Sequence, residues 1–373
     1  MLTNYINVVI VCLSTVTSSL RLMPNGEPEE WATASAEISA MRESLPNVSA
    51  QHSRLGRTNK SVAILLVGMQ KHMLVESKLK HVVEPLLAQG WKVDVFVELV
   101  ALGIEPGFTW IPVKGDTVAE RVSAVSSRMA DEFLSLFQQN LEMRGARLVH
   151  GNLLQADYDL TGDLASAQGL AGLGRMSQYS PFSNNDSVLS QNHQTFVLKD
   201  SVIGQAVLKR FKGLQNLMSV VTATSDYDFV LVTRDSDLWL HKLDLDSFAG
   251  QVQQDAPVVY TKACLQWLGG VNDKTFLFSG SASKRILSTL YNDFFNETHH
   301  ALDNSRNAEL YWKQLITQVH RVRSRPQHPS RIPTADALWR LVDGSKHLCV
   351  KRKYFCKEFN AENTAPMCPQ VHD

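Results

Sequence analysis

The sequence has no surplus of either charge: 37 Lys and Arg stand against 37 Asp and Glu, a formal net charge of zero over 373 residues. A balanced chain offers no bulk field to nucleic acid or to an anionic membrane surface, so any anion site must come from local clustering. Long apolar runs are missing near the start, where Ile6–Leu13 (INVVIVCL) is followed by a Ser/Thr-rich stretch. That is far short of the ~20 residues a spanning helix needs, and it fits the centre of a secretory signal or signal-anchor over residues 1–21. The usual positive residues before such a segment are absent, and any membrane association is expected through this segment only. Cysteine is sparse, at 5 residues, and Cys349-x6-Cys356 has no C-x2-C or H-x3-H companion, which argues against a structural zinc site. Internal repeats are also lacking.

What is present describes a globular chain. Hydrophobic residues make up 44% and charged residues 20%, ordinary values for a protein with a sizeable core. Apart from Cys12, four cysteines remain (Cys264, Cys349, Cys356 and Cys368), three of them crowded near the C-terminus. An even set points to disulfides, and its three pairings stay open. Sequons begin at Asn47, Asn59, Asn185 and Asn296. Together these features predict a secretory-pathway protein, in the Golgi or ER lumen or secreted. Residues 22–60 are polar and Glu/Ser-rich and read as a stem.

A folded domain is expected over 61–342. Ser61–Gly68 (SVAILLVG) is a continuous apolar run of strand length, and helical spacing follows through Leu74, Leu79, Val82 and Leu86, with Pro85 expected to kink or end it. Lys92–Leu99 alternates like a second strand, so this is a βαβ unit and implies parallel pairing. Further strands are predicted at Arg147–His150, Phe229–Val232, Pro257–Lys262 and Thr275–Phe278, and Gly107–Lys114 reads as a short strand or a loop. Helices are predicted over 118–136, 201–224, 282–294 and 308–320, and no second domain with its own sheet is expected. Residues 155–194, rich in Gly, Ser, Asn and Gln, read as a flexible insertion, either a bland one or a lid. Residues 343–373 read as a disulfide-bearing tail, with the basic stretch KHLCVKRKYFCK (346–357) as a pinned surface strand.

The chemistry gathers at Asp226–Leu245, DYDFVLVTRDSDLWLHKLDL. A buried strand runs into Arg234-Asp235-Ser236-Asp237, and the carboxyl end of a strand is where α/β sheets place their ligand crevice. Asp235 and Asp237 are hard oxygen donors suited to Mg²⁺ or Mn²⁺ together with substrate phosphates; their bland role is a turn.

A strand followed by D-x-D and a short apolar segment resembles the metal-binding motif of GT-A-fold glycosyltransferases. YDFVLVTRDSDLW in particular resembles the corresponding strand of poorly characterised eukaryotic glycosyltransferase-like proteins. The similarity is specific around Tyr227–Trp239, with weaker echoes at Ile64–Gln70, Asn272–Lys274 and Asn307–Glu309. The resemblance implies a single GT-A-like (Rossmann-like) α/β domain with a mostly parallel mixed sheet flanked by helices. It implies a nucleotide-sugar donor, a glycan, protein or lipid acceptor, and Mn²⁺ or Mg²⁺ held by Asp235 and Asp237.

Around the donor, the resemblance draws in Gly68, Gln70 and Lys71 after the first strand, Asp94 in the second, and Arg234 as a fixed positive charge. The family tends to carry an Arg near Lys71, a departure that weakens that position. Asp273 and Glu309 are the candidate catalytic carboxylates, against plain roles in a turn and at a helix dipole. His320 and His347 are candidates to complete a metal shell. Two readings compete: a lumenal glycan- or nucleotide-binding protein on a degenerate transferase fold, and a D-x-D phosphohydrolase of the haloacid-dehalogenase type. In the latter the motif normally ends the first strand, with Thr or Val where Trp239 stands here.

Overall fold

The structure is a computed structural model, and it describes residues 60–100, 127–154, 158–167, 169–170, 174–182, 200–250, 256–264, 269–342, 345–350 and 356. The apolar N-terminal segment, the stem, Gly107–Lys114, the sequons at Asn47, Asn59 and Asn185, and Cys12 and Cys368 lie outside the described residues, as does most of the tail.

Strands β1 (Ser61–Met69), β2 (Lys92–Val100), β3 (Arg147–Leu154), β4 (Phe229–Arg234), β6 (Val258–Lys262), β7 (Phe276–Ser279) and β8 (Arg323–Gln327) form a 7-stranded sheet ordered β3-β2-β1-β4-β7-β6-β8. Only β7 runs against the others, so this is a mostly parallel mixed sheet flanked by helices, a Rossmann-like α/β arrangement.

Strand β1 is apolar throughout because both its faces are covered. Ala63, Leu65 and Val67 join the core layer of the helix Asp200–Thr224, with Leu208, Phe211, Leu214, Met218 and Val221. Val62, Ile64 and Leu66 join the opposite layer, with Leu79, Val82 and Leu86 and with Phe133, Phe137 and Leu141 of the helix Ser127–Arg144. Pro85 does not end its helix. A π-turn, Leu79–Val83, precedes it, and the His81 carbonyl, four residues before the proline and unable to bond to it, accepts from the Leu243 N–H at 2.8 Å.

A second sheet exists, ordered β10-β9-β5, from β5 (Asp237–Trp239), β9 (Thr334–Val342) and β10 (Ser345–Val350). It begins at the D-x-D itself, so the motif links the two sheets. Within the stretch 155–194, the described residues 158–167, 169–170 and 174–182 include core contacts. Leu160 and Met176 are buried in the core beside the helix Asp200–Thr224, and Leu170 is buried as well. Arg175 is buried, and its guanidinium donates to Asp303 Oδ1 (2.8 Å), the Phe294 carbonyl (2.6 Å) and the Asn296 carbonyl (3.0 Å). A few apolar anchors and one satisfied cation suffice to seat a segment whose composition reads as loop.

Among the described cysteines, Cys264 after β6 is disulfide-bonded to Cys356.

Candidate active site

Strand order reverses at β1: from there the chain steps outward to β2 and β3 on one side, and to β4 on the other. In an open α/β sheet, the carboxyl ends of the two strands at such a switch point diverge and leave a crevice. The turn Met69–His72 follows β1 there, and Asp235–Asp237 follows β4.

The two turns are joined through Asp235. Its Oδ2 accepts from the Met69 N–H at 2.7 Å and its Oδ1 from the Ser236 N–H at 2.8 Å, while His72 Nδ1 stands 3.6 Å from Oδ2. Gly68 makes room: a Cβ there would lie 2.4 Å from the Asp235 Cγ. Burial works against ionisation of Asp235, yet His72, Arg234 and the Met69 N–H hold its pKa well below the usual carboxylate range.

Asp237 is buried too. Its Oδ2 accepts from Thr233 Oγ1 (3.0 Å), the Arg234 N–H (2.8 Å) and Thr275 Oγ1 (2.8 Å). From below, Lys78 donates to the carbonyls of Asp235 (2.7 Å) and Asp237 (3.1 Å), and burial pushes its pKa down to about 8. Both carboxylates are therefore fixed by backbone N–H groups, hydroxyls and a lysine beneath the turn.

Around this turn the charges alternate in sign. Asp336 is the cross-strand partner of Asp237 and accepts from Ser236 Oγ at 3.3 Å. Lys262 donates to the Thr334 carbonyl at 2.9 Å, and burial lowers its pKa to about 8. Arg234 is half-buried among Asp336, Asp237, Asp235 and Asp273; their charges outweigh desolvation and raise its pKa.

Asp273 carries an ion pair with Lys274 (3.0 Å), and Arg210 donates to the Asp273 and Lys274 carbonyls at 2.9 and 3.1 Å. Glu309 lies alongside: its backbone packs on Gly270, where a Cβ would meet the Glu309 carbonyl carbon at 2.4 Å, and its carbonyl accepts from the Val271 N–H at 3.0 Å. Burial and the charge of Asp273 push the Glu309 carboxyl up to about 7.

The structure thus brings together Gly68, Arg234, Asp235, Asp237, Asp273 and Glu309. Gln70 sits in the same turn, buried, with its Oε1 unpartnered, and Lys71 occupies the turn's next backbone position. Asp94 does not belong to this group. It pairs with Ala63 near the amino end of β2, about 20 Å from that strand's carboxyl end at ~3.3 Å per residue. Its carboxylate is taken up by Arg147 (2.9 and 2.7 Å), Tyr227 (2.7 Å) and Lys92 (3.1 Å).

His320 is also elsewhere, about 16 Å along its helix from Glu309 at ~1.5 Å per residue, with its Nε2 2.8 Å from Asp293 Oδ2. His347 lies on β10. Sequence reasoning missed His72, Lys78, Arg210, Lys262, Thr275 and Asp336. It also missed Glu98, a buried carboxyl near the end of β2 that accepts from Tyr158 and is pushed by burial to about 7. Only the alternation of β2 could have flagged Glu98, which shares its face of the strand with Asp94 and Phe96.

The oxygens of Asp235 and Asp237 suit a hard divalent cation whose remaining ligands are phosphate and water. Among the described residues, no three His, Cys, Asp or Glu side chains converge as a metal cage.

No protein-family model matches the sequence, and neither does any curated protein. Among solved structures, the crystal structure of mouse xyloside xylosyltransferase 1 in its apo form is similar in outline. The two chains are 9% identical, with 72% of this chain and 86% of that chain covered and a TM-score of 0.36. A likeness at that level carries no argument about chemistry.

Proposed function

We propose that this protein is a metal-dependent glycosyltransferase that moves a sugar from a nucleoside-diphosphate sugar to a glycan, protein or lipid acceptor within the secretory pathway. The observation that supports this reading is the position of the Asp235-Ser236-Asp237 turn at the switch-point crevice, with the buried Asp235 carboxylate tied to the turn that follows β1 and the buried Asp237 beside it. Cleaving the anomeric bond develops negative charge on the leaving diphosphate, and a divalent cation held by Asp235 and Asp237 supplies the neutralising charge when bound. Arg234 adds a fixed positive charge that never titrates in the working range. Glu309, raised to about 7, is poised to take the acceptor hydroxyl's proton near neutral pH, and Asp273 tunes it through their repulsion.

The test is calorimetric titration of UDP and GDP, each with and without Mn²⁺, on wild type, Asp235→Asn and Asp237→Ala. Binding that requires Mn²⁺ and is lost in variants that keep the wild-type circular dichroism supports the reading. Equal binding by folded variants, or none by wild type, overturns it.

A further inference from the structure

The sequon Asn296-Glu297-Thr298 lies among the described residues, and it is not part of the candidate active site. Asn296 closes the helix Leu290–Phe295 in an extended conformation, φ −81° and ψ 104°. All three residues are exposed. Asn296 Oδ1 accepts from the Thr298 N–H at 3.0 Å and from Thr298 Oγ1 at 2.7 Å, a local turn that fixes the side-chain carbonyl inward along the chain. The nitrogen on the other side of that amide is 3.2 Å from His299 Nε2. An amide nitrogen has two hydrogens, so substitution of one leaves the other for His299.

The backbone at this point is held independently of the side chain. The Asn296 carbonyl accepts from the buried Arg175 at 3.0 Å, and the Asn296 N–H donates to the Asp293 carbonyl at 3.3 Å. A large polar substituent on Nδ2 therefore displaces no core side chain and breaks no buried hydrogen bond. The Cys264–Cys356 disulfide forms in the oxidising compartments where such substituents are added.

We infer that Asn296 is a site of N-linked glycosylation. The donor class is an oligosaccharide on a lipid diphosphate, transferred by the host's own machinery. The bond from Asn296 Nδ2 to the anomeric carbon forms as that carbon's bond to the diphosphate oxygen breaks. The lipid diphosphate leaves with the electron pair, and the amide gives up one proton. Thr298 is the hydroxyl the sequon requires, and the inference stands apart from the transferase reading.

The experiment expresses the full chain in a eukaryotic secretory host and treats it with a peptide N-glycosidase in ¹⁸O water. The peptide spanning Asn296 is then read by mass spectrometry beside Asn296→Gln and Thr298→Ala. Conversion of Asn296 to ¹⁸O-labelled Asp in wild type, lost in both variants while each still melts cooperatively, is the expected result. An unmodified Asn296 overturns the inference, whether the other sequons are occupied or the whole chain is unglycosylated. Neither outcome depends on transferase activity.

Discussion

The carboxylate of Asp235, at the end of β4, accepts the backbone N–H of Met69, at the end of β1, at 2.7 Å. This bond helps tie the two lips of the switch-point crevice together, and it needs residue 68 to have no side chain. A Cβ at Gly68 would stand within 2.4–2.7 Å of all three carboxylate atoms. Gly68→Ala is therefore expected to push Asp235 off the Met69 N–H, lower stability by about 1–3 kcal/mol in urea unfolding, and weaken Mn²⁺-dependent nucleotide binding at least tenfold. A variant that unfolds and binds like wild type would show that the close approach has no role.

Glu309 has a raised pKa of about 7, so in its role as a base it gains competence as pH rises through that value. Glu309→Gln is expected to lower kcat by ~10²–10⁴ with KM little changed, and the rising limb near pH 7 should vanish from the pH–rate profile. An unaltered profile in the variant would remove Glu309 from the reaction.

Asp94 is expected to matter for folding alone. Asp94→Ala leaves the Tyr227 hydroxyl, bonded to it at 2.7 Å, without its acceptor and frees Arg147. The expected loss is about 3 kcal/mol in guanidinium unfolding, with nucleotide affinity per folded molecule unchanged. Reduced affinity in fully folded Asp94→Ala would return this residue to the donor site.

The contribution of Glu98 and Glu309 to stability should fall as pH rises from about 4.5 to about 7. Glu98 and Glu309 are both raised by burial from 4.5 to about 7, so within that window the folded state binds more protons than the unfolded state. The stability they confer is thus complete below about 4.5 and lost through about 7. Glu98→Gln should flatten the decline by about 2 kcal/mol, measured as urea midpoints across pH; a decline of unchanged slope would mean that Glu98 is not the proton carrier.

Much of the fold can be read from local pattern. Ser61–Gly68, Lys92–Leu99 and Phe229–Val232 are apolar runs of strand length, and the Phe211, Leu214, Met218 and Val221 spacing defines the long helix on one face. Burial on two sides of a sheet or one side of a helix writes itself into periodicity. Strand β8 escaped because RSRPQ is charged, contains Pro326 and lies at the sheet's edge, where pattern carries little information. The small sheet escaped because β5 is only three residues long and its partner β9 comes from nearly a hundred residues later.

By itself, then, the sequence determined the α/β class and the location of the D-x-D at the end of a buried strand, because hydrophobic period and turn chemistry are local. Tertiary structure alone decided which charged residues share the crevice. Asp94 and Asp235 look alike as strand carboxylates. One faces Arg147 and Tyr227 at the amino end of β2, and the other faces Met69 and His72 at the carboxyl end of β4. Strand order and register set that difference, and they come from contacts between residues far apart in the chain, which no local pattern encodes.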